Sequence, residues 1–129
     1  MVAEAARIVK PGGTIAFTDW VEGPAGLSDS EAGRVLPFMK FPSVASIEDY
    51  RGLLEANGCE VAVAEDTGRF APYVDLYLQM IEMQLTYDVF RILGFDVEGM
   101  AAVTGAFAFL QELAHAGKFA QARFIARRR

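Results

Sequence analysis

The chain has 129 residues, 53% of them hydrophobic and 22% charged, a composition that suits one packed core rather than a disordered segment. A formal charge of −5 argues against nucleic-acid binding, which needs basic patches to neutralise phosphates. No apolar run reaches the roughly 20 residues that span a bilayer, the opening five residues lack the features of a signal peptide, and the single Cys59 leaves no internal disulfide or cysteine-built zinc site. A cytoplasmic protein without a membrane partner is the expectation.

Met1 to Lys10 reads as the end of a helix, with Val2, Ala5, Ala6 and Val9 at helical spacing and Pro11-Gly12-Gly13 as its stop. Thr14 to Val21 is rich in β-formers and bounded by glycines, so the first unit, 1–21, is a helix end and a strand. Its near-continuous apolar character suggests a strand of the buried parallel type. Residues 22–45 form a long connection with Pro24, Pro37 and Pro42. A short helix from Asp29 to Leu36, N-capped by Ser28, fits within it, and the apolar Leu36 to Pro42 stretch points to a packed lid.

The unit 46–64 opens on Ser46 as an N-cap with Asp49 near the capping-box position. Ile47, Tyr50, Leu53 and Leu54 make a buried stripe, Asn57-Gly58 is a left-handed stop, and Cys59 to Ala64 is a short strand. Glu65 to Gly68 turns the chain. In 69–117 two helices are expected, one from Pro72 to Leu93 and one from Val97 to Ala116. The first has apolar residues around most of its circumference, including Leu76, Leu85, Val89 and Leu93, and should be buried on several sides. Residues 118–126 alternate as a closing strand. Arg127-Arg128-Arg129 then reads as a solvated tail.

The order is helix, strand, lid, helix, strand, helix pair, strand: α/β material with three strands. The run Ala6-Arg7-Ile8-Val9-Lys10-Pro11-Gly12-Gly13-Thr14-Ile15-Ala16-Phe17 resembles the piece of class I S-adenosylmethionine-dependent methyltransferases that leads into their fifth strand. Leu53-Leu54-Glu55-Ala56-Asn57-Gly58-Cys59-Glu60-Val61 is similar to the family's entry into strand six, with Cys59 where an aromatic residue is usual. Ala116 to Arg127 looks like strand seven of the branch that includes sarcosine and dimethylglycine N-methyltransferases. The resemblance covers nearly the whole chain but only the C-terminal half of the family. It implies a partial Rossmann-like sheet, equivalent to strands five, six and seven, with a lid loop and an inserted helix pair.

The family grips its cofactor with a glycine-rich turn after its first strand, and no Gly-x-Gly follows a strand here. Met1 falls inside a helix of the implied fold. The expectation is therefore a truncated unit that binds no cofactor alone, S-adenosylmethionine being the cofactor of the whole family. It would supply the substrate side and lid of a small-molecule methyltransferase and need a complementing N-terminal half. The other reading is a non-catalytic homodimeric small-molecule-binding or interaction module, with its bare strand edge or apolar helices buried against a second copy.

Candidate substrate residues follow from position. Asp19 and Trp20 end the first strand, where open α/β sheets place ligands; the alternative is a carboxylate that caps the next turn and a tryptophan packed under the lid. Met39 and Phe41 sit in the lid, where aromatic rings can hold a methylated ammonium or simply serve as core. Arg69, Tyr73 and Tyr77 fall at i, i+4 and i+8, so the arginine could clamp a carboxylate while the tyrosines pack. His115, near a helix end, reads as a surface residue stabilised by the dipole, and Cys59 as a small buried hydrophobe.

Overall fold

The computed structural model describes residues 1–83, 85–92 and 94–129. Three strands, β1 (Thr14–Glu22), β2 (Cys59–Asp66) and β3 (Phe119–Arg128), form one sheet in the order β1-β3-β2. Both outer strands run antiparallel to β3, so the near-continuous apolarity of β1 does not mark a parallel neighbour. Its odd positions are instead the buried phase: Ile15 and Val21 are buried, whereas Thr14, Ala16 and Thr18 are exposed. A bulge between Val61 and Val63 shifts the register of β2 and brings Ala64 opposite Phe124.

Two helices cover one face of the sheet, α1 (Val2–Ile8) and α3 (Ile47–Ala56). Val2, Ala6 and Leu54 pack there against Ile15, Val21 and Cys59, and against the row Ala120, Ala122, Phe124 and Ala126 of β3. Three alanines in that row leave room for large partners. Phe124 stacks on Phe17 at 4.8 Å between ring centroids and meets Tyr50 at 4.9 Å. The helix starts are written in the sequence: Ser46 and Asp49 form a reciprocal capping box on α3, and Ser28 and Glu31 form a second one on α2 (Asp29–Met39).

The other face is covered at one end only, by α2, α4 (Phe70–Glu82) and α6 (Val97–His115) around Val35, Phe70, Val74, Leu110, Leu113 and Phe119. The lid is thus largely helix. It passes the expected end at Leu36 and runs to Met39 with Pro37 in its last turn, and beyond it the amide of Phe41 donates to the carbonyl of Leu36. Lys40 then closes it in the left-handed conformation.

Three further expectations are corrected. The single helix from Pro72 to Leu93 is two, α4 and α5 (Leu85–Ile92), because Met83 leaves helical geometry with ψ −143°. Gln84 and Leu93, and the expected burial of Leu85 and Val89, lie outside the described residues. Nor is α4 buried on several sides: Tyr73, Leu76, Tyr77 and Met80 are all at least 40% exposed. The arginine run is also not a free tail. Arg127 and Arg128 belong to β3, the Arg127 Nε donates to the Gly12 carbonyl at 3.0 Å, and the Arg129 amide donates to Gly58. Among the described residues, no helix is long and apolar enough to cross a membrane.

Candidate functional site

Successive residues of a strand point to opposite faces, and this divides the residues expected at the end of β1. Trp20 points into the half-covered face, where its ring meets Phe70 edge-on at 4.9 Å and Phe41 at 5.9 Å. Asp19 points to the other face. There its Oδ2 accepts a short hydrogen bond from the Tyr50 hydroxyl, and its Oδ1 accepts from the Trp20 amide at 2.8 Å. Burial, and then this carboxylate, push the Tyr50 phenol up to about 12.

A cavity of about 400 Å³ opens beside Trp20, lined also by Met39, Phe70, Tyr73, Val74, Tyr77, Phe107, Leu110 and Gln121. Its floor is the sheet, where Trp20 and Gln121 stand opposite each other across β1 and β3. One wall is α4, whose i, i+4 tyrosines line the cavity beside Val74 while staying more than half exposed. Another is α6, which contributes Phe107 and Leu110, and Met39 closes in from the lid. Tyr77 and Phe107 rings lie 5.1 Å apart, bridging the two helices.

Three contacts hold the lid helix in this position. The Lys118 ammonium contacts both carboxylate oxygens of Glu31 at 2.6 Å, the Arg34 guanidinium lies 3.8 Å above the Phe109 ring, and Phe38 meets Phe107 edge-on at 5.4 Å. Lys118, helped by the amide and hydroxyl of Ser28, lowers the Glu31 carboxyl to about 2. Helices α4 and α6 are clasped in turn by Asp75, which accepts from the Gln111 amide at 2.6 Å and sits 2.8 Å from the His115 Nε2. Gln111, and then His115, hold its carboxyl below the ordinary range.

Of the seven residues expected from the sequence, Trp20, Met39, Tyr73 and Tyr77 come together in the cavity. Phe41 packs behind Trp20 without lining it, and Asp19 is on the far face of the sheet. Arg69 is the N-cap residue of α4 and lines a separate polar cleft with Thr18, Glu65, Asp66, Thr67, Gln121 and Arg123, in which Arg123 pairs with Glu65. Gln121 was not anticipated. Its signal is a lone amide in the outward phase of a strand whose alternate positions are alanines. Phe107 and Leu110, at i and i+3 of α6, were not anticipated either.

No family model matches the sequence, and no curated protein matches it. Solved structures do match. A protein of Galdieria sulphuraria assigned as a sarcosine dimethylglycine methyltransferase superposes with a TM-score of 0.80 at 21% identity, over 98% of this chain and 45% of that one. A phosphoethanolamine N-methyltransferase of Haemonchus contortus, solved with S-adenosylhomocysteine, gives 0.79 at 16%, over 98% and 29%. A cyclopropane synthase of Mycobacterium tuberculosis gives 0.79 at 16%, over 98% and 48%. The chain therefore spans less than half the length of each of these proteins. At such identities the likeness establishes architecture: this chain has a partial methyltransferase fold.

Proposed function

We propose that this chain is the substrate-side part of a small-molecule methyltransferase, with the S-adenosylmethionine site supplied by further polypeptide and no methyl transfer by the chain alone. The observation that carries the reading is the cavity at the end of β1, roofed by a fastened lid and walled by the helix pair. Methyl transfer from a sulfonium demands alignment of donor and acceptor more than acid–base groups, and a shaped, water-poor pocket is what such alignment needs. Gly23 is used internally, lying so close on the Gly117 carbonyl that a Cβ would stand 2.1 Å from that oxygen. We assign the protein to the cytoplasm, where a free thiol such as Cys59 stays reduced. Calorimetric titration of the chain with S-adenosylmethionine should give no saturable heat; saturable binding would overturn the reading.

A second reading, a non-catalytic homodimer that binds a small molecule, is favoured by the apolar face of α4, where Leu76, Tyr77 and Met80 stay at least 40% exposed. The outer edge of β1, paired among the described residues only at Glu22 with Ser46 and Ala45, offers a second contact surface. Light scattering should then give twice the chain mass, and Leu76→Glu should halve it. A stable wild-type monomer would remove this reading.

A further inference from the structure

We infer that the cavity takes an uncharged, predominantly apolar molecule carrying one hydrogen-bond acceptor, which Gln121 receives. This rests on the reading of the cavity as a substrate pocket and adds the class of ligand. Among the described residues, no charged side chain lines the cavity. Of the charged residues around it, Arg69, Glu65 and Arg123 line the polar cleft that shares Gln121, and Asp75 is held by Gln111 and His115. An ion entering without a counter-charge gives up hydration that this lining does not replace. Attraction between a cation and the rings of Trp20 or Tyr77 returns only part of it. The space is also larger than a methylated ammonium needs, and falls within the roughly 300–1,000 Å³ usual for small-molecule sites.

Among the described residues, Gln121 is the one side-chain amide on this lining. The Thr67 hydroxyl donates to its Oε1 at 3.2 Å, and the Thr67 amide donates to its backbone carbonyl at 2.8 Å. That arrangement fixes the carbonyl end of the side chain and leaves the amide NH2 to be donated. A carbonyl, ether or hydroxyl oxygen on an otherwise apolar ligand is the complement. A carboxylate-bearing amino acid is not, because Arg69, the residue that could have clamped it, opens onto the polar cleft instead.

The test uses three ligands of one shape and different charge: cyclohexyl methyl ketone, cyclohexanecarboxylate and cyclohexyltrimethylammonium. Trp20, the only tryptophan, reports binding by its fluorescence. The ketone should bind at least tenfold more tightly than either ion. Gln121→Leu should weaken the ketone about fivefold, the loss of one neutral hydrogen bond of about 1 kcal/mol, and leave methylcyclohexane unchanged. Equal or tighter binding of the ammonium or the carboxylate would overturn the ligand class while leaving the pocket a substrate site. Failure of all four molecules to give saturable binding would overturn both. Saturable S-adenosylmethionine binding by the chain alone would count against the proposed function and leave the ligand class standing.

Discussion

The Tyr50 hydroxyl of α3 donates to the Asp19 carboxylate of β1, tying the helix that follows the lid to the strand that precedes it. The phenol is raised to about 12, by burial first and by Asp19 second. In an unfolded chain it would ionise near its ordinary value of about 10. The unfolded state therefore releases its proton first, and the stabilisation, complete below about pH 10, is lost as pH rises through about 12. Tyr50→Phe should abolish that alkaline component of unfolding. At neutral pH it should cost about 1–3 kcal/mol, because Asp19 loses a partner in a half-buried site. Denaturant melts across the alkaline range check both.

The Glu31–Lys118 pair fastens the lid, and its pH behaviour has the opposite sign. Glu31 is depressed to about 2, so its contribution is complete above the ordinary carboxylate value of about 4.3 and lost as pH falls through about 2. Acid should loosen the lid within that window and change the fluorescence of Trp20, which packs on Phe41. Glu31→Gln should flatten the acid limb of the titration and leave the alkaline one unaltered.

Gly23→Ala should be among the most damaging small substitutions. The added methyl would meet the Gly117 carbonyl oxygen at 2.1 Å, and both sides of that contact are backbone. The cost expected is about 3 kcal/mol or more. Gly52→Ala is the control, since a Cβ there meets nothing within 4 Å in the middle of α3 and should stabilise by about 0.5–1 kcal/mol. Thermal melts of the two variants should move in opposite directions.

Phe124→Ala empties the centre of the α1/α3 face. The ring is fully buried against Phe17 and Tyr50, and its removal should cost about 3–5 kcal/mol. A loss below about 1 kcal/mol in denaturant melts would mean that this face is not the main core.

Local signals carried the fold far. Pro11-Gly12-Gly13, the Ser46–Asp49 cap and the Asn57-Gly58 stop each act through a few neighbouring atoms, so they could be read directly from residue type and spacing. The break at Met83 could not, because nothing in Met80 to Leu85 is a helix breaker by type. The exposure of Tyr73, Leu76, Tyr77 and Met80 escaped for a different reason: periodicity reports which side chains are apolar, not whether a partner surface exists to cover them. Among site residues, helical spacing found Tyr73 and Tyr77. The same spacing misplaced Arg69, which precedes the first turn of α4 and turns toward β2. Grouping Asp19 with Trp20 failed because the strand's two-residue period separates neighbours, and Gln121 was legible only once the register set it opposite Trp20.

The strand that comes last in sequence lies between the other two. β1 and β2 each find their hydrogen-bond ladder in Phe119–Arg128, which for β1 lies nearly a chain length away. Among the described residues these ladders join segments distant in sequence, and pairing of that kind is slow by topology. Helices can form early on a growing polypeptide, but the sheet must wait for its middle member.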